Sequence, residues 1–234
     1  MYAYNKHQSA KVDSYDEGLR SYMIGVYNQM TAALVLSGVV AYLSAPLIEP
    51  LMKTLWIFAI AFLPLAFVFV LTFGMHKLSV SAARLVFYSY AFTMGLSLSI
   101  IFITFTSASI AKVFFITAAT FASASLYGYT TKRDLSSMGS FLFMGVIGLL
   151  IASVVNIFFA SSMMSWIISV AGVLVFTAMT AYDSQELKNE YLSGGEVYGF
   201  DSQEKSSIFG ALMLYMNFVI IFQHLMNLLG EKEE

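Results

Sequence analysis

The sequence predicts an all-α, polytopic membrane protein: a bundle of seven transmembrane helices with little mass outside the lipid. Three observations predict it. Of 234 residues, 59% are hydrophobic and only 11% are charged, whereas soluble domains carry about 25% charged residues. So few charges could not cover the surface of a water-soluble fold of this size. The apolar residues also fall into seven runs, each near the roughly 20 residues that one crossing requires.

The runs are read in order as spans 22–44, 55–73, 84–105, 110–129, 138–159, 166–187 and 208–229. Breaks are expected at Pro46–Glu49–Pro50, at Gly74–Lys77, at Thr106–Ser107, at Thr131–Asp134, at Ser161–Ser162 and along a polar stretch 188–207. Residues 84–129 are too long for one crossing, so a tight hairpin is expected at Ser107. The chain therefore divides into a polar tail over 1–21, a membrane domain over 22–229 and a short polar tail over 230–234. The first 21 residues lack the apolar core and cleavage site of a secretory signal, so the first span is expected to serve as an uncleaved anchor.

Lysine and arginine favour the cytoplasmic side of a membrane. With the N-terminus inside, that side holds Lys6, Lys11, Arg20, Lys77, Arg84, Lys132, Arg133, Lys188 and Lys205, against Lys53, Lys112 and Lys232 outside. Seven crossings then place the C-terminus outside; a re-entrant last segment would return it to the cytoplasm. Small residues crowd spans four and five (Ala118, Ala119, Ala122, Ser123, Ala124, Ser125, Gly139, Gly145, Gly148). They are expected to permit close helix packing within the bundle.

Several chemistries are disfavoured. Cysteine is absent, which removes disulfides, zinc–thiolate sites and thiol nucleophiles. A formal charge of −2 offers no basic surface for nucleic acid. Neither an HExxH motif nor a nucleophile elbow occurs, so neither an enzyme nor a bound cofactor is expected.

Polar groups inside the spans are few. Asp183 lies near the end of span six, and span seven carries Tyr215, Asn217, Gln223, His224 and Asn227. An aspartate at a helix centre costs about 2.5–3.5 kcal/mol on insertion scales. Two readings follow: an interfacial carboxylate pairing with a basic residue such as Lys188, or a buried group that attracts cations or responds to protons. Asn217, His224 and Asn227, spaced seven and three apart, fall within about a quarter of the helix circumference. Such a stripe should face the bundle interior, either as ordinary interhelical hydrogen bonding or as part of a pathway. Antiparallel spans six and seven would bring Asp183 and Asn217 level with modest tilt. His224 has no second histidine at ligand spacing and is expected to form hydrogen bonds, not bind metal.

Four segments carry a resemblance: Leu19-Arg20-Ser21-Tyr22-Met23 through Val26-Tyr27-Asn28-Gln29-Met30; Gly128-Tyr129-Thr130-Thr131-Lys132-Arg133-Asp134-Leu135; Ala181-Tyr182-Asp183-Ser184-Gln185-Glu186-Leu187-Lys188; and Gly210-Ala211-Leu212-Met213-Leu214-Tyr215-Met216-Asn217-Phe218. In this order, with seven spans around them, they resemble the bacterial branch of the Bax inhibitor-1 family over nearly the whole chain. The resemblance implies a bundle whose C-terminal helix is central and surrounded by the other six. It also implies calcium leak across a bacterial inner membrane, controlled by a pH-sensitive pair of aspartates on the last two spans and a basic residue at the end of span two. Asp183 matches the first aspartate and His76 falls at or beside the basic position. Asn217 occupies the second aspartate position, so two carboxylates cannot share a proton here. Bacterial members are alternatively linked to a membrane-bound quality-control protease in stress response. The handles for such a partner would be the N-terminal tail and the 188–207 stretch, with Gly194, Gly195, Glu196, Asp201 and Glu204. Membrane lipids are the other expected partner.

Overall fold

The computed structural model describes the backbone of residues 2–54, 56–194, 198–200 and 202–233, and the side chains of these outside 2–16, 52–53, 56–59 and 61. Seven α-helices follow in order: α1 (Tyr2–Ile48), α2 (Trp56–Gly74), α3 (Val80–Thr104), α4 (Ser107–Thr130), α5 (Gly139–Phe159), α6 (Ser162–Leu192) and α7 (Gln203–Leu229). Short 3₁₀ turns at Glu49–Lys53 and Ser136–Met138 join α1 to α2 and α4 to α5. Six of the helices are long and apolar enough to cross a membrane among the described residues, and the described part of α2 is a shorter apolar helix.

Local chemistry sets the breaks. Ser79, Thr106, Ser161 and Ser202 stand in extended conformation before α3, α4, α6 and α7, and each side chain accepts a hydrogen bond from the backbone N–H three residues on. Such caps satisfy donors that a helix start leaves unpaired. The expected hairpin at Ser107 is present, made by two extended residues, Phe105 and Thr106. α1 runs past Pro46 and gives way to the 3₁₀ turn that Pro50 opens. Its helix begins at Tyr2, so the segment read as a tail is continuous with the first span; the side chains of Lys6, Lys11, Asp13 and Asp16 lie outside the described residues.

Half of the polar stretch 188–207 is helical. α6 extends to Leu192 and α7 begins at Gln203, so the connection is only 193–202; within it, Gly195, Glu196 and Asp201 lie outside the described residues. Hydrogen bonds to side chains and connections on the same end carry the helix beyond its apolar part.

Contacts define two ends of the bundle. At one, His76 meets Phe200, Arg84 approaches Glu204 at 3.9 Å, Tyr22 lies on Tyr191, and Gln185 binds the α4–α5 connection. At the other, the chain after α7 is tied to the α3–α4 hairpin: Thr106 N donates to Glu231 O at 3.0 Å, and Glu233 N to Thr104 O at 3.1 Å. α7 therefore runs from one end to the other as a continuous helix of 27 residues, about 40 Å long. A helix of this length is long and apolar enough for a full crossing.

α7 is the axis of the bundle. Sixteen of its residues are buried, against Leu142 alone on α5. It packs chiefly against α1, α3, α4 and α6, while α2 lies on α3 and α5 on α6. Among the described residues, α1, α3, α4 and α6 form the ring next to the central α7, and α2 and α5 lie outside that ring. α5 turns Phe141, Met144, Leu150, Phe158 and others outward, a surface suited to lipid.

Small residues decide the closest contacts only in part. A Cβ on Gly128 would lie 2.0 Å from the Ala181 carbonyl oxygen, so α4 and α6 touch backbone to backbone there. A Cβ on Gly148 would meet nothing within 4 Å.

Candidate functional site

Asp183 sits nine residues before the end of α6, about 14 Å along the helix, deeper than a boundary at residue 187 would place it. Its carboxylate is 4% exposed and Asn217 is 5% exposed. Asn217 Nδ2 donates to Asp183 Oδ2 at 2.6 Å, a charge-assisted bond across the α6–α7 interface when the acid is ionised. Leu187 fills the space beside Gly210, where any Cβ would sit 2.2 Å from its Cδ2. This close approach holds the two helices in the register that makes Asp183 and Asn217 meet.

Lys188 is not the partner of Asp183. Its Nζ donates to the Tyr129 carbonyl at 3.1 Å and lies 5.7 Å from the Tyr129 ring centroid, on the α4 side. Asp183 is therefore buried and bonded to Asn217 instead of paired with Lys188. Beside it, Ser184 Oγ donates to Thr180 O at 2.7 Å and stands 2.8 Å from Ser125 Oγ, which is 2.5 Å from the Tyr27 hydroxyl. Each hydroxyl has one proton, so the donor sequence runs Tyr27 to Ser125 to Ser184 to the Thr180 carbonyl. These bonds lock α1, α4 and α6 one residue from the acid.

A second buried carboxylate escaped the sequence reading. Glu190 is 1% exposed; its Oε1 accepts from Ser206 Oγ at 2.5 Å and its Oε2 from Tyr198 N at 2.9 Å. It staples the 193–202 connection to both α6 and α7. The missed signal is that Glu190 follows Asp183 by seven residues, which puts both on one helix face; ending the helix at 187 hid it. Above Glu190, the rings of Tyr198, Phe200 and Phe209 stack within 5.4–6.0 Å of one another. Burial, then the charges of Asp183, Glu186 and Glu190 and the neighbouring Tyr22, push the Tyr198 phenol above its usual range. Tyr22 Oη, Gln29 Oε1 and Tyr198 Oη are also buried without a hydrogen-bond partner. Outside the helices, exposed Asp134 accepts from Ser136 N at 2.9 Å, which lowers its carboxyl from the ordinary value.

The remaining predicted residues do not join the pair. His76 is exposed, with its ring 4.8 Å from Phe200, and forms no ion pair with Asp183. Tyr215 is fully buried but faces away: its hydroxyl is 2.6 Å from Ser37 Oγ and its ring stands edge-on to Tyr90 and Phe87. The stripe along α7 winds out of the core, because His224 is half-buried and Asn227 exposed. Both line a cleft of about 330 Å³ with Gln223 and Ser97. His224 occupies the space a Cβ on Gly172 would take, and its Nδ1 is buried without a partner. Among the described residues, no three His, Cys, Asp or Glu side chains converge as a metal site.

Comparison with known proteins agrees with this architecture. Residues 19–234 match the family model described as inhibitor of apoptosis-promoting Bax1. The chain is 42% identical over 221 residues to the inner membrane protein YbhL of Escherichia coli, covering 92% of this chain and 93% of YbhL. It is 40% identical over 230 residues to an uncharacterised protein of Rickettsia prowazekii, covering 97% and 96%. A membrane protein of Streptococcus pyogenes is 31% identical over 224 residues, covering 93% and 96%. With nearly every helix included in these matches, the chain belongs to the Bax inhibitor-1 family of multi-pass membrane proteins.

Proposed function

We propose that this protein is a passive cation pathway of a bacterial inner membrane, with calcium as the ion, N-terminus cytoplasmic and C-terminus external. The observation that carries the reading is the Asp183–Asn217 bond, a buried carboxylate held between the central helix and its nearest neighbour at 2.6 Å. Ionisable groups this deep in a membrane bundle are costly and mark pathways. A hard cation needs six to eight oxygen ligands for tight binding. Asp183 supplies two and the Asn217 carbonyl one, which suits transient passage and not storage. In the arrangement described, the Asn217 amide occupies the carboxylate, so a cation must displace it. The bond acts as a closure between α6 and α7, and the aromatic cover of Tyr198, Phe200 and Phe209 closes the same end. No catalytic step is assigned.

The reading is tested by calcium flux into liposomes containing purified protein. Asp183→Asn keeps a hydrogen-bonding side chain but removes the charge, and should abolish or strongly reduce flux. Unchanged flux in that variant overturns the proposal.

A further inference from the structure

We propose that the groove between α1 and α4 is a binding site for an anionic phospholipid, with one acyl chain in the groove and the headgroup at Arg20. α1 packs on α3 and α7, and α4 on α6 and α7, which leaves a gap of about 480 Å³ between α1 and α4. Its walls are Met23, Ile24, Phe121, Ala122 and Leu126, and its floor is bridged by Tyr27 and Ser125. Both helices are long and apolar enough to cross a membrane, so the material available to fill an apolar gap on their outer face is a hydrocarbon chain. From Arg20 to Tyr27 the groove follows seven residues of α1, about 10 Å, inward from one end of the bundle.

Charge distinguishes the occupant. Arg20 lines the mouth of the groove, is exposed and forms no ion pair among the described residues. Tyr129 closes the other wall at the same end, and the Lys188 ammonium is bound to its carbonyl and lies over its ring. With Lys188 held by Tyr129, the exposed Arg20 guanidinium is the cation offered at the opening, where arginine and lysine attract anionic lipid. Arginine also matches a phosphate with two parallel hydrogen bonds. A neutral zwitterionic lipid would fill the groove without using this charge. The inference does not rest on cation passage: it concerns a different face of the bundle and has its own readout.

The test is native mass spectrometry of the full chain released from micelles with equal phosphatidylglycerol and phosphatidylcholine of matched chains. The wild type should retain phosphatidylglycerol over phosphatidylcholine by roughly fivefold. Arg20→Gln should bring that ratio close to one while a lipid still binds. Ala122→Trp fills the groove from an exposed position and should remove the retained lipid, whereas Leu150→Trp on exposed α5 should change nothing. Equal melting temperatures confirm that the variants are folded. Glycerol 3-phosphate alone should not displace the lipid. Wild-type retention in both Arg20→Gln and Ala122→Trp would mean annular lipid only and overturn the proposal, as would full competition by glycerol 3-phosphate.

Discussion

The Asn217 amide meets the Asp183 carboxylate at 2.6 Å where both side chains are sealed from solvent, so α6 and α7 are joined by a bond with one ionisable partner. An aspartate pair at this place would hold a proton between two acids; here the closure can change charge at only one side.

Removing the carboxylate should therefore unbalance its partner. Asp183→Ala leaves the Asn217 amide buried without an acceptor, at a cost of about 1–3 kcal/mol, while Asp183→Asn should cost less because an acceptor oxygen remains. Thermal unfolding in detergent checks the order, with Asp183→Ala melting lowest.

The pH profile follows from the number of ionisable groups. If flux needs the Asp183 charge, acidification neutralises it and flux falls with the steepness of one proton. Asn217→Asp places two carboxylates in contact, which titrate as a coupled pair in two steps. Liposome flux measured across the pH range should thus be single-step in the wild type, broadened in Asn217→Asp and flat in Asp183→Asn.

Glu190 should control the connection above the site. Glu190→Ala removes the acceptor for both Ser206 Oγ and Tyr198 N. Each bond to a charged group is worth about 1.5–3 kcal/mol, so the 198–206 segment should exchange its amide hydrogens faster than in the wild type. Hydrogen exchange of the Tyr198 amide is the direct measure; unchanged protection there would contradict the staple.

The exposed pair of Arg84 and Glu204 should matter little. Its charged atoms are 3.9 Å apart and its side chains 52% and 68% exposed. Such pairs contribute about 0–1 kcal/mol. Arg84→Gln should leave the melting temperature nearly unchanged, within the small shift that this range allows.

Helix contacts supply a sharper contrast. Gly128→Ala would drive a methyl group into the Ala181 backbone, and overpacking of this kind costs about 1–3 kcal/mol. Gly148→Ala meets open space and should be neutral or stabilising, since alanine favours helix by about 1 kcal/mol over glycine. Unfolding of the two variants side by side decides whether the α4–α6 contact is as tight as described.

The seven helices were legible in the order of the residues because crossing a membrane is a demand on each segment separately: about 20 apolar residues, begun by caps such as Thr106 and Ser161. Asp183 and Asn217 were legible for a related reason, since a polar side chain in an apolar run is conspicuous in one dimension. What tertiary structure decided was which groups meet. Glu190 precedes Tyr198 by eight residues and Ser206 by sixteen, and only the extra turns of α6 and the start of α7 bring them within bonding distance. The same geometry turned Tyr215 toward Ser37, carried His224 and Asn227 outward and left His76 against Phe200, because a small helical rotation or a missing Cβ, as at Gly172, selects the neighbour. Span length is a local property of composition, whereas partnership depends on helix register and rotation, which arise only when all the packing surfaces close together.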